Sequence, residues 1–238
     1  IIIVFGLIMF LCLYLYLFRP NIFEETKNLV FIALLIFLMI GLTTIVQKFT
    51  DLGVYIVPYA LLPIIIRVFF DSRTALFVHM ITVLILAFMV DNPFIFILIQ
   101  MTAGMTAVSG LKDLTSRSQL TQTAIMILVC YVLMYVAAEL ISEGDIARVN
   151  YTPLIYLSIS ALLSLFAYVL IYLFEKMFNL ISAITLVELT NINSDLMIRF
   201  AEKAPGTFQH SLQVSNLATE AAKTINANSL LVRTGALY

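Results

Sequence analysis

The sequence predicts an all-α protein: a polytopic membrane helix bundle of about seven spans, followed by a stalk and the first helices of a small helical domain. Three observations carry this reading. Of 238 residues, 62% are hydrophobic and 11% charged, with a mean hydropathy of +1.06; a soluble domain is nearer half apolar and a quarter charged. The apolar residues lie in runs close to the roughly 20 residues that a helix needs to cross a bilayer. After Phe178 the character changes, and polar side chains return with Pro205 and Gly206. The net charge of -1 offers nothing to a polyanion, so no DNA partner is expected. Cys12 and Cys130 sit in apolar runs and read as small buried hydrophobes, not as a disulfide framework.

Seven apolar segments follow in order: 1–18, 29–47, 54–70, 75–90, 93–110, 120–141 and 154–178. The chain opens on Ile1 rather than Met, so it is expected to be part of a longer protein. Its first segment lacks a small-residue cleavage site and is taken as a span, not a signal peptide. Pro58 and Pro63 should bend the third segment, and neighbours must then satisfy the freed carbonyls. The third and fourth segments are short. The fourth and fifth are joined only by Asp91-Asn92-Pro93, either a tight turn between two crossings or the tip of a re-entrant pair. Short-loop Lys and Arg set the orientation. With the N-terminus outside, the inner side holds Arg19, Lys27, Arg67, Arg73, Lys112, Arg117 and Lys176, and the outer side holds Lys48 and Arg148. The chain after Phe178 is therefore expected in the cytoplasm, and the protein in a bacterial inner membrane.

There is no Trp, so interface anchoring falls to Tyr14, Tyr16, Phe18, Tyr151, Tyr156, Tyr172, Phe174 and Phe178. Polar residues within spans need a partner or a cavity. Arg67 can snorkel or pair with Asp71, His79 reads as an interfacial residue, and Glu139 reaches the opposite headgroups. The fifth segment is the least lipid-like, with Gln100, Thr102, Gly104, Thr106 and Ser109. Ala103 and Ala107, and again Thr106 and Gly110, have the spacing of close helix contacts, as do Ser160 and Ser164 on the last segment. Packing is the plain reading of this span; lining a ligand cavity or conduit is the alternative.

Residues 180–189 could prolong the last helix as a rigid stalk, broken by Asn191-Ile192-Asn193-Ser194-Asp195. This divides the chain into a membrane domain over 1–178, a cytoplasmic linker over 179–200 and a further helical domain from 201 to 238. Pro205-Gly206 signals a turn, with Thr207 as a candidate N-cap. His210, Val214, Leu217 and Ala221 then share one helix face, which aims His210 inward. Asn226-Ala227-Asn228 forms a turn before a last helix over 229–238. Taken alone, a histidine on such a face is ordinarily a packed core residue. The chain holds no Gly-rich phosphate loop, no Cys-x-x-Cys and no Ser-His-Asp arrangement.

Glu188-Leu189-Thr190-Asn191, Glu202-x-Ala204-Pro205-Gly206-Thr207, His210-Ser211-Leu212-x-Val214-x-Asn216-Leu217-Ala218 and Leu230-Leu231-x-Arg233-x-Gly235-Ala236-Leu237-Tyr238 together resemble the bacterial seven-transmembrane receptors with an intracellular HD hydrolase domain. Several members of that family are cyclic di-AMP phosphodiesterases. The resemblance is carried by 188–238; over the membrane part it rests on segment number and order. It implies that 201–238 begins an HD phosphohydrolase domain, and that His210 is a metal ligand. It also implies two divalent ions, manganese or iron, that hydrolyse cyclic di-AMP to a linear dinucleotide in the full-length protein. In the family a His-Asp pair follows the position of Tyr238, so catalytic residues are not identifiable in this chain. By itself the chain is expected to be inactive and to hold no metal tightly. An outer domain preceding Ile1 would supply the signal. The expected partners are the lipid bilayer and a cyclic dinucleotide, and a homo-oligomer is compatible with the sequence. A transporter or channel with a cytoplasmic regulatory tail is the alternative; it would draw on the polar fifth span but lacks an evident internal repeat.

Overall fold

The computed structural model describes residues 2–111, 118–144, 150–225 and 227–238. Every regular element among them is helical. Lys112, Arg117, Arg148 and Asn226, which the sequence places in loops and in the last turn, lie outside the described residues. The chain up to Leu180 forms one compact unit and Ile181–Tyr238 another.

The first unit runs α1 (Ile2–Phe18), α2 (Pro20–Phe23), α3 (Thr26–Phe49), a 3-10 turn (Val54–Ile56), α4 (Leu61–Phe69), α5 (Ser72–Ala87), α6 (Pro93–Gly110), α7 (Ser118–Glu143), α8 (Thr152–Leu163), a second 3-10 turn (Ser164–Phe166) and α9 (Ala167–Phe178). Among the described residues, four helical stretches are long and apolar enough to cross a membrane: Thr26–Phe49, Pro93–Gly110, Ser118–Ser142 and Thr152–Phe178. Ile2–Phe18, Val54–Phe69 and Ser72–Ala87 are shorter apolar stretches. The protein is thus a multi-pass membrane protein, and large apolar side chains such as Phe5, Phe37, Leu133 and Phe166 remain exposed on its outside, as lipid contact requires.

Contacts at the two ends of the bundle order these segments. At one end, Arg19 after α1 meets Asp71 before α5, and Phe31 near the start of α3 is ringed by Phe69, Phe70, Phe174 and Phe178. At the other, the Gln47 side chain donates to the Met89 carbonyl, and Tyr55 meets Phe96 and Tyr135. Successive segments therefore alternate in direction. Arg19, Lys27, Arg67, Arg73 and Lys176 belong to the first end, and Lys48 to the second. Glu139, late in α7, sits at the end opposite Arg67.

Several expectations are corrected. The third segment is not one bent helix: Pro58 follows the 3-10 turn, and α4 restarts only at Leu61, because a proline lacks the N–H and clashes with the preceding turn. Pro63 sits in the first turn of α4, where it is tolerated. The Val57 carbonyl at the break accepts the Ser160 hydroxyl at 3.0 Å. Asp71 does not pair with Arg67; it takes a two-pronged bond from Arg19, at 2.8 and 2.9 Å, while capping α5 through the amides of Arg73 and Thr74. The anchoring aromatics are partly internal: Phe174 is buried against Phe31, and Tyr14 stacks on Phe77 at 3.9 Å. Cys12 is exposed on α1 rather than buried. Asn92 caps α6 and Pro93 opens it, so Asp91-Asn92-Pro93 joins two antiparallel helices tightly.

The Arg19–Asp71 pair has a defined pH dependence. Burial raises the Asp71 carboxyl, but the Arg19 guanidinium and the Thr74 hydroxyl and amide outweigh it and hold it below its ordinary 3.8. A depressed carboxyl stabilises the fold above the ordinary value, and that contribution fades as pH falls through the folded one. Asp71→Asn keeps the cap and should cost roughly 0.5–1 kcal/mol at neutral pH, the range for a partly exposed pair. Thermal unfolding in detergent should show the gap from wild type closing below pH 3.8; a gap that persists there would contradict the ion-pair assignment.

The second unit holds α10 (Ala183–Leu189), α11 (Asp195–Lys203), α12 (Pro205–Thr224) and α13 (Ser229–Leu237). The last membrane helix does not run on as a stalk. It stops at Phe178, with Asn179 left-handed at φ 51°, and Ser182 caps a new helix. Ser194 and Asn228 cap α11 and α13. Leu186, Met197, Ala222 and Leu237 form a small apolar core.

Candidate functional site

The stretch that carries His210 is built by Pro205. Its fixed φ suits the first helical position, so α12 starts there, with Ala204 in the cap position and no side-chain cap. Thr207 is therefore inside the helix and is not the N-cap. Phe200 of α11 packs edge-on against Phe208 at 5.7 Å and sets the angle between the two helices.

The inward face of α12 is not the one expected. Ser215 and Ala222 are buried, and Ser211 and Ala218 on the same face are half-buried, whereas His210, Val214, Leu217 and Ala221 are exposed. The reason is helix-to-helix distance. Small residues at 211, 215, 218 and 222 let α13 approach closely enough for the Ser215 hydroxyl to donate to the Arg233 carbonyl at 3.0 Å. That stripe of small residues was a legible signal; hydrophobicity alone pointed to the other face. His210 thus stands on an open face beside Val214 and Leu217, the latter 73% exposed.

One imidazole is not a metal site, since a bound ion needs several donors. Among the described residues no three His, Cys, Asp or Glu side chains gather to hold an ion. Of the ligands that the resemblance implies, the one it places in this chain is His210, which offers an accessible donor.

The buried polar side chain of α6 is used for packing, while Ser109 is exposed. Gln100 is fully buried, its side-chain oxygen accepting the Tyr131 hydroxyl at 3.0 Å and its carbonyl facing His79 Nε2 at 2.9 Å. His79 is 1% exposed and so is a core residue, not the interfacial one expected. Because its Nε2 meets a carbonyl, the proton of the neutral ring belongs on Nε2. Its ring lies where a Gly104 side chain would be. Ala103 and Ala107 are buried as their spacing predicts, while Thr102 and Thr106 bond back to their own helix. The Tyr59 and Thr43 hydroxyls meet at 3.1 Å. No sequence pattern pointed to these cross-helix pairs.

Fold and composition define a multi-pass helical membrane protein with a small helical unit after its last membrane segment. A family described as "7TM receptor with intracellular HD hydrolase" matches residues 1–182. The chain belongs to this family. It is 31% identical over 216 residues, 88% of this chain and 30% of the relative, to the cyclic-di-AMP phosphodiesterase PgpH of Listeria monocytogenes serotype 1/2a (strain 10403S). It is 26% identical over 228 residues, 91% of this chain and 32% of the relative, to the protein of the same name from Bacillus subtilis (strain 168). An uncharacterized protein of Synechocystis is 50% identical over 64 residues, 27% of this chain and 8% of that protein. The chain spans about a third of the length of the two phosphodiesterases it matches. Matches of that extent reach past residue 182 into the second unit. No solved structure matches.

Proposed function

We propose that this chain is the membrane region and the opening of the hydrolase domain of a metal-dependent phosphodiesterase that cleaves cyclic di-AMP to a linear dinucleotide. The observation that carries the reading is the match of nine-tenths of the chain to two proteins named for that activity. In this reading all seven apolar segments cross, with the N-terminus of the chain outside and the second unit in the cytoplasm. Support comes from the alternating direction of the segments and from Arg19, Lys27, Arg67, Arg73 and Lys176 gathering at one end. Residues 201–238 begin the HD domain, and a signal from an outer domain passes through the bundle and the linker over 179–200. His210 supplies one donor to a divalent centre, with manganese or iron as the ions that imidazole suits; the other donors come from outside this chain. The exposure of His210 fits that role, since a donor shared with another segment must be open in the segment that carries it.

The test is hydrolysis of cyclic di-AMP by the full-length protein in vesicles, with and without manganese. Turnover that requires the metal is the expected result, and an intact dinucleotide under both conditions would overturn the reading. Topology has its own check. A single Cys placed at Ser142 should react with an impermeant thiol reagent on intact cells, and one at Ser116 should not. The reverse pattern would put His210 on the wrong side of the membrane.

A further inference from the structure

We infer that α13 is the coupling element between the segment that leaves the last membrane helix and the helix that carries His210, with Tyr238 and Ser215 as its two positioning residues. The inference rests on the phosphodiesterase reading for its functional consequence, but its geometry lies wholly within the second unit.

α10 follows the left-handed residue Asn179 by a few positions and has only seven residues. A helix this short is not stable alone, because nucleation outweighs the few bonds gained. Its last four carbonyls need partners. Those of Leu186 and Glu188 take the amides of Thr190 and Asn191, and that of Val187 takes the Thr190 hydroxyl. The Leu189 carbonyl is closed from another helix, by the Tyr238 hydroxyl at 3.1 Å. Thr234 of α13 adds a weaker contact, sharing its hydroxyl between Leu230 at 2.9 Å and Leu186 at 3.4 Å. Leu186, Thr234 and Leu237 are buried together there. α10 is therefore held in helical form by α13.

The opposite side of α13 is locked to α12. The Ser215 hydroxyl reaches the Arg233 carbonyl at 3.0 Å, little more than one turn along α12 from His210. Beside Tyr238 lies a groove of about 320 Å³ between α11 and α13, lined by Leu196, Met197, Phe200 and Leu237. A displacement of α10 thus reaches α12 through α13, in parallel with the covalent route through α11.

The experiment uses the full-length protein in lipid vesicles. Tyr238→Phe removes one exposed oxygen and keeps the ring, and Ser215→Ala removes the second tie. In Tyr238→Phe, amide exchange over 186–191 should rise about five-fold, the loss of one net hydrogen bond, and exchange over 207–212 should rise at least about two-fold. Each variant should change kcat for cyclic di-AMP at least about three-fold with KM unchanged. The double variant should add little to either, because the ties act in series. Unchanged exchange over 207–212 in Tyr238→Phe, or strictly additive effects on kcat, would overturn the inference. If the wild type does not hydrolyse the dinucleotide, only the phosphodiesterase reading fails, and the exchange measurement still decides the role of α13.

Discussion

Replacing His210 with Ala in the full-length protein is expected to lower cyclic di-AMP hydrolysis by at least about 100-fold while leaving expression and membrane insertion intact. The magnitude follows from the proposed role: even groups that merely orient a metal ligand cost 10- to 100-fold when removed, and a direct ligand should cost no less. The structure sharpens the contrast with a packing role. His210 is exposed on α12, so with the metal stripped from both proteins its truncation should change the melting of the second unit by within about 0.5 kcal/mol, as surface substitutions do. Bound metal and unfolding temperature measured on the same preparation separate the cases. Lost metal, with the metal-free forms of variant and wild type melting alike, supports the ligand, because a bound ion itself stabilises the fold. Full metal content with normal specific activity would sink the assignment.

Gly104→Ala is expected to be the most damaging small substitution in the bundle, at about 1–3 kcal/mol, the usual cost of overpacking. A side chain at this position would overlap the His79 ring. The ring is not free to yield, being buried and bonded to the Gln100 carbonyl on the same helix as Gly104. Truncating the ring to make space, as His79→Ala, leaves a void and removes the cross-helix bond to Gln100, so it is costly alone. Together the two changes should cost less than the sum of their separate effects, because the added methyl occupies part of that void. Unfolding in mixed detergent micelles gives the four values of the cycle. Strict additivity would mean that the ring and the glycine are not packed against each other. Gly110, where a side chain would fall 2.6 Å from the Thr123 hydroxyl, should show a milder version of the same effect.

Composition and periodicity determined that this chain is a helical membrane bundle with a different, more polar segment after Phe178, because both the bilayer and the helix impose their demands locally. A run of apolar residues, a proline, a glycine or an Asn-Pro turn declares itself within one or two turns of chain. The close-packing role of Ala103, Ala107 and Ser160 was legible for that reason, since small side chains at a helical repeat admit a neighbour whatever that neighbour is. The family signature around His210 was legible as a string of residues. Its orientation was not. Val214 and Leu217 outweigh Ser215 and Ala222 in apolar content, yet the second pair faces inward, because the interhelical distance to α13 is set by the smallest residues and not by the greasiest. Only the tertiary structure decided that His79 is a core residue on Gly104 and that Asp71 answers to Arg19 from 52 positions away. Each depends on which surfaces meet across the bundle, and that pairing is a property of distance in space that no local pattern of residues encodes.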